Sequence, residues 1–389
     1  MMVAVAFWTV LVVGLFGIVR WGVRVLPREN MQILATMPRW RGQDGTWEGV
    51  NLTWYGVLQA LAVVTSVGLS LVLGCAADVP VFYGVALTGL LLLCCMPAAR
   101  LVARLVERKK GTFTVGGAVF VGVLLAPWLA SLLDRFDGSR HGLVAISALA
   151  VCYPVGEAIG RLACISFGCC YGKRLDQCGA RLQNLFVRIP PAIVVGPTRK
   201  AAYAGGCEGV PLLPVPALGA FILSGAGLLG IALFLAGNFR SAGMVALTIA
   251  FAWRFVSEFL RADYRGRSAI SLYQWMALLS WAYGVAAFSL LPATRDFPFV
   301  ARGLRALWTP MALSSLGALG VATFIYLGVS RVTGAKVTLR VHSEHKLEWN
   351  RSVDVDTPLA GEASCRSYVT AASEDSRYHA SVTSIARHP

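Results

Sequence analysis

The sequence predicts an all-α polytopic integral membrane bundle of about seven to nine transmembrane helices with a short polar C-terminal tail. Apolar stretches of roughly 17–25 residues, the length that crosses ~30 Å of hydrocarbon as a helix, recur along most of the chain. Of its 389 residues 56% are hydrophobic, and the mean hydropathy of +0.64 lies far outside a water-soluble balance. Beyond Gly334 the long apolar runs stop.

In chain order the expected spans are 3–19, 53–75, 79–98, 114–133, 142–160, 211–236, 243–260, 270–291 and 307–329. Residues 1–19 carry no positive n-region and no small-residue cleavage signal, so the first span reads as a retained helix. Gly116, Gly117, Gly122 and Pro127 fall inside the fourth span, where membrane helices tolerate such residues because neighbours re-satisfy the backbone. The expected division is 1–50, an extra N-terminal helix and loop; 51–291, the transmembrane core; 292–333, an additional transmembrane helix; and 334–389, a polar, flexible tail.

The chain holds 35 Lys+Arg against 20 Asp+Glu, a net charge of +15, and in a membrane protein such an excess sits in loops facing anionic headgroups. No phosphate loop, zinc-finger spacing or basic aromatic-interleaved patch is present, so nucleic acid is not an expected partner. The loops at 20–50, 98–112, 161–210 and 261–267 hold 5, 5, 7 and 3 basic residues, against 2, 1 and 3 at 134–141, 237–242 and 292–306. That bias favours an external N-terminus.

Two segments concentrate polar residues where apolar ones are the rule. Gly156 to Lys173 places small residues at 156, 160, 164, 168 and 172, a ladder that lets one helix face approach another backbone. Glu157 and Arg161 stand four apart and can pair. An Arg in or near hydrocarbon costs several kcal/mol, so it faces a cavity or a partner. The bland alternative is a structural pair at a helix end. In Trp253 to Arg265, Arg254, Glu258 and Arg261 fall at i, i+4 and i+7, a charge stripe on one helix face. A guanidinium fork fits phosphate oxygens and a carboxylate can hold it in place, whereas the rival is a snorkelling helix end.

Cys164, Cys169, Cys170 and Cys178 leave a metal site, a disulfide, a nucleophile and plain packing open. A C-x4-C-C run lacks the paired C-x2-C units and nearby His of a zinc site, which favours packing or a disulfide. Cys75, Cys94, Cys95 and Cys152 lie in apolar stretches and read as small buried hydrophobes. His141, at a helix end, reads as a solvated interfacial residue. No metal and no cofactor are expected.

Over residues 50–290 these segments resemble the prolipoprotein diacylglyceryl transferase family. Its signature, approximately Gly-Arg-x-Gly-Asn-Phe-x-Asn-Gly-Glu-x-x-Gly, is matched by Gly160, Arg161, Gly168 and Gly172. Arg254, Glu258 and Arg261 are in register with a later Arg-x-x-x-Glu-x-x-Arg helix, and Gln274 with a Gly-Gln-x-Leu-Ser segment. Upstream, Trp54-Tyr55-Gly56 resembles a Trp-Tyr-Gly opening, Ala99-Arg100-Leu101 a Gly-Ala-Arg-Leu and Gly116-Gly117 a His-Gly-Gly. The departures are Val115 in place of the family's His, Cys164 in place of Asn and Cys169 in place of the signature Glu. The His-Pro-x-Gln-Leu-Tyr-Glu segment is reduced to Val215-Pro216-Ala217-Leu218.

The resemblance implies a bacterial cytoplasmic-membrane enzyme that moves a diacylglyceryl group from phosphatidylglycerol to the lipobox cysteine of a prelipoprotein, releasing glycerol phosphate. Its partners would be phosphatidylglycerol, the lipobox peptide and membrane lipids. It implies Arg161, Arg254, Glu258 and Tyr55 as catalytic residues, and Arg261, Arg100, Gly116, Gly117, Gly160, Gly168 and Gln274 as substrate-binding, while a thiol role for Cys164, Cys169 or Cys170 belongs to a related transferase with another lipid or acceptor. No general base is assigned. A non-catalytic lipid-binding homologue and a transferase with another lipid or acceptor are the alternatives. The family places its signature toward the extracytoplasmic face, opposite to the side the loop charges give residues 161–210.

Overall fold

A computed structural model of the chain describes residues 2–28, 30–41, 46–106, 115–186, 191–196, 199–263, 270–290, 297–329, 335–340 and 383–386. Twelve helices and six strands occupy them. The first helix, α1 (Met2–Val25), leads to a hairpin of β1 (Ile33–Arg41) and β2 (Thr46–Thr53), where the sequence predicts a loop. Then come α2 (Trp54–Ala76), α3 (Val81–Val106), α4 (Val115–Asp137) and α5 (Gly142–Phe167). A connecting region holds α6 (Ala180–Phe186), β3 (Ala192–Ile193), α7 (Lys200–Tyr203) and β4 (Pro211–Leu212). It is followed by α8 (Val215–Leu235), α9 (Phe239–Leu260), α10 (Leu272–Leu290), α11 (Val300–Ala306) and α12 (Pro310–Gly328). Two strands of the tail, β5 (Ala335–Arg340) and β6 (Thr383–Ala386), extend the hairpin in the order β1-β2-β5-β6. The rest of the tail lies outside the described residues.

Eight of these helices, α1 to α5, α8, α9 and α12, are long and apolar enough to cross a membrane. The expected span at 270–291 forms α10, whose Tyr, Gln, Trp and Ser residues dilute its hydropathy below that of the eight. Burial sorts the bundle into centre and periphery. The most apolar stretch of α5 is 78% buried, against 11% for α1, α3, α4 and α12. An apolar surface such as Leu93, Trp128, Phe136 and Val321 on the outer helices is costly in water and suits hydrocarbon.

The small residues of α5 explain why it is central. A Cβ on Gly156 would come within 2.6 Å of Ser66 Cβ, so this helix face can seat directly on α2. Ser66 then donates to the Cys152 carbonyl at 3.0 Å, tying α2 to α5. At its N-terminus, the Asp134 carboxylate of α4 accepts from Gly142 N at 3.1 and 3.2 Å and from Tyr83 at 2.8 Å, placing negative charge against the helix dipole.

The expected end of this span at residue 160 is corrected: α5 continues to Phe167. Arg161 and Cys164 are therefore helical, and Arg161 does not belong to the loop whose basic residues were counted. The small-residue ladder ends with the helix. Gly168 is its left-handed C-cap, with φ 71°, and Gly172 lies beyond. The buried Arg199 guanidinium closes this end, donating to the carbonyls of Ile165 at 3.1 Å and Ser166 at 2.7 Å, and to Leu26 at 3.2 Å and Arg28 after α1. Gly168→Ala is expected to lower stability by about 1–2 kcal/mol, the cost of a side chain in the left-handed region. Its Cβ would also stand 3.0 Å from Arg199 Cβ. A thermal midpoint in detergent equal to the parent's would show that the turn does not need glycine.

Candidate functional site

One carboxylate organises the polar centre. Tyr153, Glu157 and Arg161 recur at four-residue spacing on α5, so their side chains share a face. Arg254 of α9 crosses to meet them. Glu157 accepts from Arg254 Nη2 at 2.9 Å, from Arg161 Nη2 through the same oxygen, and from the Tyr153 hydroxyl through the other. Arg254 Nε also donates to the Tyr153 hydroxyl at 3.0 Å. The side chains of Glu157, Arg161 and Arg254 are only 5%, 14% and 16% exposed. Two guanidinia on one carboxylate leave an excess positive charge in a low-dielectric place, which favours an incoming anion. Among the described residues, the buried Arg161 Nε has no hydrogen-bond partner.

The surroundings leave these side chains room. Gly219 of α8 lets the Arg161 stem approach, since a Cβ there would lie 3.6 Å from Arg161 Cγ and 2.8 Å from Trp253 Nε1. Gly116 of α4 faces Arg254, its built Cβ 3.5 Å from Arg254 Nη1 and 3.0 Å from the Tyr273 ring. Gly116, Val119, Phe251, Arg254, Tyr273, Met276, Ala277 and Ser280 line a small cavity there. Gly117 neighbours Gly116 on α4.

The expected Arg254–Glu258–Arg261 stripe is corrected. Arg261 is the C-cap of α9, with φ −86° and ψ 151°, and the ion pairs divide the stripe: Arg254 goes to Glu157 of α5, while Glu258 pairs with Arg261. Glu258 does not orient Arg254; Glu157 does. Arg261 also forks onto Asp263, with both contacts 2.7 Å, and reaches Glu258 at 3.5 Å. Glu258 accepts from Ser271 at 3.3 Å. Tyr264 and Arg265 of the same segment lie outside the described residues.

Gln274 caps α10. Ser271 Oγ accepts from Gln274 N at 3.2 Å and Gln274 Oε1 from Ser271 N at 2.8 Å, a capping box, while Gln274 Nε2 donates to the Phe255 carbonyl at 3.1 Å. Gln274→Ala is expected to cost about 1 kcal/mol of stability with an unchanged KM for the lipid. A raised KM at unchanged stability would return it to the binding surface.

Arg100 hydrogen-bonds Tyr326 of α12 at 2.9 Å and lies over its ring, on a helix pair apart from Glu157. Tyr55 stacks edge-on against Phe167 with ring centroids 5.8 Å apart and stands within electrostatic reach of Cys164, Cys169 and Cys170. Gly160 admits Gln59 against α5, its built Cβ 3.5 Å from the Gln59 amide oxygen.

The cysteine-bearing turn folds back under the helix end. Cys169 N bonds the Cys164 carbonyl at 3.1 Å, and Cys170 takes φ 56°, a left-handed conformation uncommon outside glycine. Gly172 then bridges to Arg261, with Lys173 N on the Leu260 carbonyl at 2.9 Å and Ala262 N on the Tyr171 carbonyl at 3.0 Å. The sulfurs of Cys164, Cys169 and Cys170 all lie within 4.8 Å of one another, as free thiols. Hydrogen bonds from Cys164 and Cys169, aided by the Arg261 and Arg161 guanidinia against the effect of burial, hold the Cys170 thiol well below the usual range. Cys169 is held well above it, its proton engaged with Cys164 and Cys170.

The sequence reading paired Glu157 with Arg161 but did not place it among the catalytic residues, and it passed over Tyr153, Tyr273 and Arg199. For Tyr153, the four-residue step back from Glu157 was the available signal. Arg199 carried none.

Fold and centre together define a multi-pass helical membrane protein built around a buried Arg–Glu–Arg cluster. The family model for prolipoprotein diacylglyceryl transferase matches residues 46–290, and the chain belongs to that family. Membership makes it a transferase of lipoprotein biosynthesis, in a family that acts on a lipid donor and prelipoproteins. No curated protein matches the chain.

Proposed function

We propose that this protein transfers the diacylglyceryl group of phosphatidylglycerol to the lipobox cysteine of a prelipoprotein in the bacterial cytoplasmic membrane. Residues 51–291 form the catalytic core of this reading. The observation that carries it is the pair of guanidinia, Arg161 and Arg254, held by a single buried carboxylate. A phosphodiester headgroup brings one negative charge to that net positive centre. As the acceptor sulfur attacks the glyceryl carbon, the C–O bond to phosphate breaks. Glycerol phosphate leaves with the electron pair, gaining a second negative charge. Fixed cations therefore bind the transition state more strongly than the ground state, which is what accelerates the reaction. Glu157 and Tyr153 orient the guanidinia so that no reorganisation is needed as the charge develops.

Arg261 and Glu258 act at one remove, tying the end of α9 to the cysteine turn. Tyr55, Gly116 and Gly160 shape the approach of the lipid, with Gly117 beside Gly116, and Gly168 sets the turn. The test is thioether formation between labelled phosphatidylglycerol and a lipobox peptide by purified protein, beside Arg161→Ala. Product that disappears in the variant supports the reading. Absence of product from the parent, with phosphatidylglycerol still bound through Arg161, would replace it with a lipid-binding role.

A further inference from the structure

Transfer to sulfur needs a thiolate, and the structure turns the sulfurs of Cys164, Cys169 and Cys170 to one point at the end of α5. Spacing alone argues against a metal, because C-x4-C-C is not a paired motif. The left-handed residues Gly168 and Cys170 remove that objection by reversing the chain beneath Cys164. Tetrahedral zinc holds sulfurs at about 2.3 Å from the ion and so roughly 3.8 Å from each other. Sulfurs already within 4.8 Å reach that arrangement by small side-chain rotations.

We infer that Cys164, Cys169 and Cys170 form a three-thiolate site for a thiophilic divalent cation of the zinc class, with the fourth ligand position taken by the acceptor cysteine. The metal half of this stands on the geometry, and the acceptor half rests on the proposed transferase function. Soft sulfur donors select zinc-like ions over magnesium or calcium. Three protein ligands with an open position are the arrangement of reactive zinc sites. Among the described residues no fourth His, Cys, Asp or Glu joins the three. Cys178 and Cys207 instead bond the carbonyls of Arg174 at 3.2 Å and Gly205 at 3.1 Å.

Three thiolates and a divalent ion sum to minus one, and the Arg161 and Arg261 guanidinia stand within electrostatic reach of Cys170 while each also holds a carboxylate. Cys169 and Cys170 lie past the end of α5 and are partly exposed, so a peptide can approach. Coordination deprotonates the acceptor thiol outright, and its proton passes to water at the open side. The sulfur then forms the S–C bond as the C–O bond breaks, and the electron pair departs with glycerol phosphate. Cation and Arg cluster divide the chemistry, one forming the nucleophile and the other receiving the leaving group.

Metal content of the purified full-length protein, measured by mass spectrometry, tests the site. About one zinc per chain is expected. The cobalt-loaded protein should show thiolate-to-metal charge transfer, lost in Cys169→Ser and in Cys170→Ser and kept in Cys75→Ala on α2. A lipobox peptide should intensify the band, and the same peptide with serine at the acceptor position should not. Parent protein without stoichiometric metal and without a cobalt–thiolate band overturns the site, even where transfer proceeds. A bound ion whose spectrum ignores the peptide thiol overturns the acceptor role. Both results are read on the parent, so they hold whether or not a cysteine variant folds. Bound metal with a peptide-responsive band but no thioether product counts against the transferase reading alone.

Discussion

Arg254→Ala is expected to lower glyceride transfer by two to three orders of magnitude, about the loss seen when one preorganised donor to a developing oxyanion is removed. The protein should still insert and purify. The reason is an asymmetry in the cluster. Without Arg254, Glu157 keeps Arg161 and the Tyr153 hydroxyl, so the buried carboxylate stays partnered. The centre nevertheless loses its excess positive charge, since one guanidinium and one carboxylate neutralise each other. Arg254→Lys should recover only part of the activity. A guanidinium bonds Tyr153 through Nε and Glu157 through Nη2 at once, and an ammonium on a flexible stem cannot reproduce that planar fork. Parent-level transfer by a stably inserted Arg254→Ala protein would remove the phosphate role from this residue.

Glu157→Leu should act on the fold rather than on the chemistry alone. Breaking a buried ion pair from one side costs about 3–5 kcal/mol, because the remaining charge is left without compensation. Here two guanidinia are stranded together, at 14% and 16% side-chain exposure. The expected readout is a large fall in the thermal midpoint in detergent and a reduced monodisperse fraction. Adding Arg161→Met to Glu157→Leu should restore much of the stability, since one stranded charge is gone, while transfer stays absent. That split separates the positioning role of the carboxylate from the anion-binding role of the arginines. A Glu157→Leu variant as stable as the parent would mean that the arginines find other partners.

The two results would also distinguish what Glu157 and Glu258 do. Both sit within reach of an Arg by helical spacing, and sequence reasoning assigned the orienting role to Glu258. Spacing names the neighbours on one helix, not the partners across the bundle. Arg254 goes to Glu157 of α5, while Glu258 pairs with Arg261. Helix α5 also runs seven residues beyond its expected end at 160, because Gly168 and Arg199 terminate it there.

By itself the sequence determined the membrane bundle, its apolar spans, the family resemblance and most of the residues of the polar centre. Those properties are local, being set by run length, hydropathy and short-range spacing. Only the tertiary structure decided which charges meet: Arg254 on α9 with Glu157 on α5, Gly116 on α4 against Arg254, and Arg199 beneath two helix ends. It also decided that cysteines with no metal-like spacing converge. Partners separated by tens of residues, or brought together by a left-handed turn, leave no periodic trace in the chain, because their distance depends on helix packing and on where each helix stops.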